Sequence, residues 1–137
     1  MATYITHNEE ETLKLGAELA KSLKKGSVIA LFAELGSGKT VLTRGICSQF
    51  GITEINSPTF AIVNEYEGET NIYHIDAYRL NSEDWIKGGF DDYLFADGIT
   101  VIEWADNIRD VLTEDAVMVT INKNLEIDED YRTIEVI

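Results

Sequence analysis

Apolar residues recur at helical spacing near the start of the chain. A capping-box pattern, S/T-x-x-E, precedes them in Thr6-His7-Asn8-Glu9, and Gly26 is a suitable helix end. The apolar positions, three or four residues apart, are Leu13, Ala17, Ala20 and Leu23. This spacing predicts a first helix between the two signals.

A continuous apolar run follows. SVIALF (27–32) is rich in β-branched residues and has no alternating polar positions, which predicts a strand buried on both faces of a parallel sheet. A second helix is expected from about Lys39 to Phe50, with Gly51 as its stop.

The second half of the chain reads mainly as strands. Residues 59–68 and 71–80 flank a short glycine-containing turn, which predicts two antiparallel strands. Residues 82–97 are mixed and are expected to contain short helices. ITVIEW (99–104) is a further apolar strand, and residues 116–122 and 131–137 alternate and are expected to pair across the acidic KNLEIDED. The order predicts an α/β fold with a mixed sheet and helices against it.

The turn after the first strand carries a phosphate-loop pattern. LGSGKT (35–40) completes G-x-x-x-x-G-K-[ST], the Walker A motif, except that Ala33 replaces the first glycine. Glycines let backbone N–H groups face an anion, and a helix N-terminus favours it. Lys39 is expected to contact the β- and γ-phosphates, and the Thr40 hydroxyl to bind Mg²⁺. A plain strand-turn-helix is the alternative.

The nucleotide is expected to be ATP. Guanine-specific P-loop proteins carry an N-K-x-D motif, and Asn122-Lys123-Asn124-Leu125 lacks its aspartate. This segment is also expected at the end of a strand, where asparagine is common.

Two carboxylates follow apolar strands. Glu103 ends ITVIEW and Asp76 ends IYHID, and a P-loop hydrolase needs carboxylates at such positions to bind Mg²⁺ and orient water. Each is alternatively a solvated residue in a turn. Thr59, after the only proline, is a candidate sensor of the γ-phosphate or simply part of a strand entry. His74 and Cys47 are expected to serve packing, and His7 a helix N-terminus.

Composition limits the partners. The net charge is −14, so the surface repels nucleic-acid phosphates, and we expect no stable direct binding to nucleic acid. Solubility or a basic protein partner would explain this charge. The 137 residues predict one domain, 1–137, with no membrane-spanning segment and no signal peptide. The single cysteine fits a cytoplasmic location.

These motifs, in this order, resemble the TsaE (YjeE) family of bacterial tRNA threonylcarbamoyladenosine biosynthesis ATPases. The resemblance spans nearly the whole chain and is carried by ETLKLG, LGSGKT-x-x-TRG, SPTFAIVNEYEG, YHIDAYRL and VIEW. It implies a P-loop NTPase-like three-layer fold with a mixed parallel and antiparallel sheet. It also implies a cytoplasmic ATPase that acts on a TsaB–TsaD complex, which modifies adenosine in ANN-decoding tRNAs.

The resemblance also implies residue roles. Lys39, Asp76, Glu103 and Thr59 would be the catalytic residues, with Thr40 and Glu103 on the metal. The residues expected to bind the nucleotide are Glu34, Leu35, Gly36, Ser37, Gly38, Lys39, Thr40 and Val41, with Thr12 (or Glu11) and Arg132 on the adenine side. Ala33, Glu34 and Val41 depart from the residues common in the family.

Two other functions remain open. A small-molecule kinase would need an acceptor pocket and a lid, for which this short chain leaves little room. A docking module would use ATP only to order a surface, which would leave Asp76 and Glu103 without a role in hydrolysis. No arginine stands where the sequence indicates an arginine finger, so we expect weak ATPase activity that depends on partners.

Overall fold

The described part of the chain forms one mixed sheet with helices on both faces. The computed structural model describes residues 2–33, 39–55, 63–90, 92 and 97–137. The strands are β1 (Ala2–Thr6), β2 (Val28–Ala33), β3 (Val63–Tyr66), β4 (Asn71–Asp76), β5 (Gly98–Glu103), β6 (Val117–Lys123) and β7 (Arg132–Val136). The α-helices with described bounds are α1 (Glu9–Ala20), α2 (Lys39–Ser48) and α3 (Ser82–Lys87), and a 3₁₀ helix covers Ala105–Val111.

The seven strands pair in the order β1-β7-β6-β2-β5-β4-β3. The central strands β6, β2, β5 and β4 are parallel, whereas β1, β7 and β3 run antiparallel to their neighbours. The predicted buried parallel strand at 27–32 is confirmed, and so are both predicted antiparallel pairs. Residues 59–62 of one predicted strand lie outside the described residues.

The two faces of the sheet carry separate cores because successive side chains of a strand point to opposite sides. Ile29 and Leu31 of β2 pack in the cluster that contains residues of α1 and α2. Ala30 and Phe32 pack in the cluster that contains Trp85 of α3 and part of the 3₁₀ helix. The predicted three-layer α/β fold is confirmed.

Helices α1 and α2 cross at two glycines. A Cβ on Gly45 would collide with the carbonyl oxygen of Leu13 and lie 3.1 Å from the Cα of Gly16. A Cβ on Gly16 would collide with the carbonyl oxygen of Leu42. The two backbones therefore touch at a place that has no room for a side chain.

The predicted start of α1 at Thr6 is wrong. The N-cap is Asn8, whose side chain accepts a hydrogen bond from the N–H of Glu11, and the Glu11 carboxylate accepts one from the N–H of His7. Thr6 instead ends β1, where it pairs with Arg132 and its hydroxyl bonds to that of Thr12. Thr6, which the local pattern placed at the N-cap of α1, therefore belongs to strand β1 instead.

The predicted extent of α1 also needs correction. The helix ends at Ala20, and turns then lead to Gly26, which has φ +89°. Leu23 is buried but follows the helix. Strand β1 was not predicted at all, whereas α2 begins as expected at Lys39 and is followed by Gly51 at φ +80°.

The described residues contain no helix that is both long enough and apolar enough to cross a bilayer.

Candidate functional site

The carboxyl ends of β2, β4 and β5 meet at one edge of the sheet, since the three strands are parallel. Glu103 pairs with Leu31 of β2 on one side and with Asp76 of β4 on the other. Residues 34–38 connect the end of β2 to the start of α2, so the first turn of α2 lies at this edge. In open α/β sheets ligands bind at this side of the strands.

Part of the predicted phosphate loop lies outside the described residues. These undescribed candidates are Glu34, Leu35, Gly36, Ser37 and Gly38, and Thr59 is undescribed as well. The backbone of Lys39 opens α2, and Thr40 and Val41 follow in its first turn as half-buried residues. The predicted strand and helix on either side of the loop are therefore both present.

Glu103 is buried and paired. It is 4% exposed, and its Oε2 lies 2.7 Å from Nε2 of the fully buried His74. An unpaired carboxylate is very costly to bury, so this contact is what allows Glu103 to lie inside the protein. The alternative that Glu103 is a solvated residue in a turn is wrong.

Asp76 lies beside Glu103 in a different setting. The two residues pair across adjacent parallel strands, where backbones are about 4.8 Å apart and paired side chains project from the same face. Asp76 is half-exposed, and its Oδ1 accepts a hydrogen bond of 2.9 Å from the N–H of Tyr78. This local turn fixes one carboxylate oxygen and holds the side chain at the strand end.

The loops after β4 and β5 are tied together. The N–H of Ala77 donates to the carbonyl of Glu103 at 3.0 Å. The Nδ2 of Asn107 donates to the carbonyls of Ala77 and Tyr78, at 3.1 and 2.8 Å. Trp104 has φ +58°, the only positive value of a non-glycine residue in the described chain, and its ring centroid lies 4.9 Å from that of Tyr78.

The residues predicted on the adenine side come together at the other end of the same edge. Thr12 is buried, with its Oγ1 2.8 Å from Oγ1 of Thr6, and Thr6 pairs with Arg132. Nη1 of Arg132 donates to the carbonyls of Glu129 and Tyr131. Strands β6 and β2 separate this pair from Glu103 and Asp76, so the described residues form two groups rather than one.

The oxygen atoms of the side chains at this edge of the sheet are suitable ligands for a hard cation. Within the described residues, no group of three or more His, Cys, Asp and Glu side chains is arranged to hold a metal ion. Magnesium usually takes only one or two carboxylates and completes its shell with water and phosphate oxygens. The oxygen donors of Thr40 and Glu103 fit that chemistry.

Comparison with known families identifies the chain. The family model described as "Threonylcarbamoyl adenosine biosynthesis protein TsaE" matches residues 6–134. The chain belongs to the TsaE family. The resemblance that the motifs indicated is thereby confirmed.

Relatives named "tRNA threonylcarbamoyladenosine biosynthesis protein TsaE" match over most of this TsaE-family chain. The Bacillus subtilis protein is 39% identical over 86% of this chain and 75% of its own length. The Treponema pallidum protein is 34% identical over 85% of this chain and 88% of its own. The Rickettsia felis protein is 40% identical over 97% of this chain and 78% of its own.

A solved structure shares the fold. The crystal structure of Bacillus subtilis YdiB superposes with a TM-score of 0.81 and 33% sequence identity. The match covers 97% of this TsaE-family chain and 82% of that chain. The mixed sheet with its helices is thus the architecture of a solved relative.

Two residues near the strand ends were not predicted from the sequence. His74 was expected only to pack, yet it contacts the Glu103 carboxylate from a strand 29 residues away in sequence. Asn107 was not singled out, although it holds the loop after β4. The spacing of His74 and Asp76, two residues apart on one strand, was the available signal for the first; no local pattern identifies the second.

Proposed function

We propose that this TsaE-family chain binds and hydrolyses ATP and thereby supports threonylcarbamoyladenosine modification of ANN-decoding tRNAs through a TsaB–TsaD complex. The observation that carries the proposal is the adjacency of Asp76 and Glu103 at the sheet edge where β2 leads to α2. Two carboxylates beside the start of a P-loop helix suit nucleotide hydrolysis better than phosphate binding alone.

Each residue then has a defined task. The backbone of residues 34–41 and the side chain of Lys39 bind the phosphates, and Thr59 senses the γ-phosphate. Thr12 and Arg132 lie on the adenine side. Asp76 orients the attacking water, with one of its oxygens already fixed by the N–H of Tyr78.

Thr40 and Glu103 would hold Mg²⁺, which neutralises charge on the phosphates when it is bound. The remaining contributions come from the chain itself. The buried position of Glu103 limits water around its carboxylate, and charge interactions are stronger where water is excluded.

Dependence on a partner is supported by the arginines. The guanidinium of Arg109 lies 4.4 Å from the centroid of the Phe32 ring, and that of Arg132 bonds to backbone carbonyls. Arg44 and Arg79 are exposed. The net charge of −14 favours a protein surface over tRNA as the direct partner, in the cytoplasm where tRNA is modified.

ATP turnover tests the proposal. The purified chain is measured alone and with a TsaB–TsaD pair, beside Lys39→Ala and the matched surface variant Lys21→Ala. We expect slow turnover that rises with the pair, vanishes in Lys39→Ala and survives in Lys21→Ala. Turnover unchanged by the pair would contradict the partner role. Phosphate transfer to nucleoside or sugar acceptors would favour a kinase, and ATP binding without turnover a docking module.

A further inference from the structure

His74 and Glu103 form a buried polar contact near the carboxyl ends of β4 and β5. Both side chains are almost completely enclosed, at 0% and 5% exposure. Within the described chain, Nδ1 of His74 is a buried polar atom with no hydrogen-bond partner. Among the described residues, the imidazole of His74 therefore makes its hydrogen bond to one atom only, Oε2 of Glu103.

We propose that His74 is a positioning residue that holds the Glu103 carboxylate by Oε2 and leaves Oε1 to serve the nucleotide site. This inference rests on the proposed ATPase function, because it assigns Glu103 a task at the nucleotide. His74 itself touches neither nucleotide nor metal in this scheme. It acts through the orientation of the glutamate.

The register of the strands supports this direction. Glu103 is level with Asp76, whereas His74 is level with Val101, two pairs further from the carboxyl edge. Residues two apart on a strand share a face, so all four side chains project to the same side of the sheet. His74 thus engages Glu103 from the interior side of the edge, which in this proposal leaves Oε1 for the nucleotide site.

The unpartnered nitrogen indicates which tautomer is present. A carboxylate only accepts hydrogen bonds, so Nε2 of His74 must carry the hydrogen that it donates. In the neutral ring Nδ1 is then a bare acceptor, and an unsatisfied buried acceptor is tolerated more readily than an unsatisfied N–H. The contact with Glu103 therefore places a hydrogen on Nε2 and leaves Nδ1 as the unpartnered atom.

The ring of Tyr66 packs near that of His74. The Tyr66 ring centroid lies 6.2 Å from that of His74, with the planes 38° apart. Tyr66 belongs to β3, which pairs with β4. Ligand orientation by a second group, itself held by packing, is the usual means by which proteins fix a metal-binding side chain.

A pure packing role would not need this chemistry. Replacing both partners of a buried hydrogen bond by apolar groups of the same shape is often neutral or stabilising, so stability alone does not explain a histidine here. A positioning role predicts instead that activity depends on the length of the side chain at position 74 and on where its N–H donor lies. Those two properties are separable by substitution.

Two amide substitutions at position 74 distinguish the position of the N–H donor from the polarity of the side chain. In His74→Gln the amide N–H takes nearly the place of Nε2–H, whereas in His74→Asn it stops near Nδ1. We expect His74→Gln to keep kcat near that of the wild type. We expect His74→Asn to lose about 10-fold in kcat, with KM for ATP little changed, as for the loss of a group that orients a metal ligand.

Magnesium dependence gives a readout other than turnover. Calorimetry measures ADP affinity with and without Mg²⁺ for the three proteins. The gain in affinity from Mg²⁺ should fall several-fold in His74→Asn but not in His74→Gln. Equal kcat and equal Mg²⁺ dependence in the two folded variants would overturn the inference.

The nucleotide-free wild type provides a test that needs no variant. The chain has two histidines, so long-range ¹H–¹⁵N spectra resolve His74 from His7. We expect hydrogen on Nε2 and none on Nδ1, and a bare Nε2 would overturn the inference even if both variants failed to fold. Absence of turnover in the wild type, alone and with the pair, would instead overturn the proposed function, while the spectra and the ADP affinities would still decide the role of His74.

Discussion

The α1–α2 junction and the carboxyl ends of β4 and β5 are both tightly packed, but different interactions hold them. At the junction, Gly16 and Gly45 let two backbones touch, and apolar side chains surround them. At the strand ends, His74 and Glu103 bury a polar contact beside the half-exposed Asp76. The volume of the side chains determines the packing at the junction, whereas the direction of hydrogen-bond donors and acceptors determines the arrangement at the strand ends.

This difference predicts which property each region controls. A change of volume at the junction should lower stability and leave turnover by folded molecules intact. A change of donor or charge at the strand ends should lower turnover even in molecules that stay folded. The predictions below test that separation, beginning with the largest expected effect.

Gly45→Ala should lower the free energy of unfolding by about 3 kcal/mol, because its Cβ would collide with backbone of α1. Urea unfolding measures the loss. Gly26→Ala is the matched control, since a Cβ there meets nothing within 4 Å and only the positive φ opposes it, at about 1 kcal/mol. Equal losses in the two variants would show that the helix crossing tolerates a side chain.

Asp76→Asn should lower turnover about 100-fold, since the neutral amide is a poor acceptor for a proton of water. Stability should change little, because the amide oxygen can still accept from Tyr78. Asp128→Asn is the matched control, as Oδ1 of Asp128 makes the same contact at 2.9 Å with the N–H of Asp130. Similar turnover in the two variants would remove Asp76 from the proposed mechanism.

Asn107→Ala removes two hydrogen bonds that hold the loop after β4. We expect a loss of about 1 kcal/mol in stability and a roughly threefold loss of turnover, because Tyr78 then holds Asp76 less firmly. Asn107→Asp has the same shape but no N–H donors, so it should lose as much. Full activity in Asn107→Asp would show that the loss in Asn107→Ala does not come from the missing N–H donors of the amide.

Burial raises the pKa of the Cys47 thiol to about 12. The unfolded chain therefore ionises at lower pH than the folded chain, and stability falls as pH rises above the ordinary thiol pKa. Between pH 8 and pH 10, wild type should lose about 1 kcal/mol more than Cys47→Ala does. Parallel pH profiles of the two proteins would contradict this origin of the slope.

The apolar interior was the more predictable region. The run 27–32 identified β2, and the segment from Lys39 to Phe50 with its stop at Gly51 identified α2, because both depend on local pattern. Strand β1 escaped prediction because Thr6 is its one buried residue, and its pairing with β7 joins distant parts of the chain. The same pairing moved the cap of α1 from Thr6 to Asn8.

The strand ends were only partly predictable. Asp76 and Glu103 follow apolar runs, so each could be found alone, and their adjacency depends on parallel pairing across 27 residues of sequence. The burial of Glu103 depends on His74, which no local rule connects to it. The motif positions 34–38 and 59 lie outside the described residues, so their roles stay predictions.

The indole ring of Trp104 gives the protein an internal optical reporter. The chain has two tryptophans, and Trp85 is fully buried against Phe90, with ring centroids 5.2 Å apart. Trp104 is half-buried, directly follows Glu103 and lies against the exposed Tyr78. Indole emission responds to the polarity around the ring, so a Trp85→Phe protein would emit from the strand end alone and report events beside Glu103 without an added label.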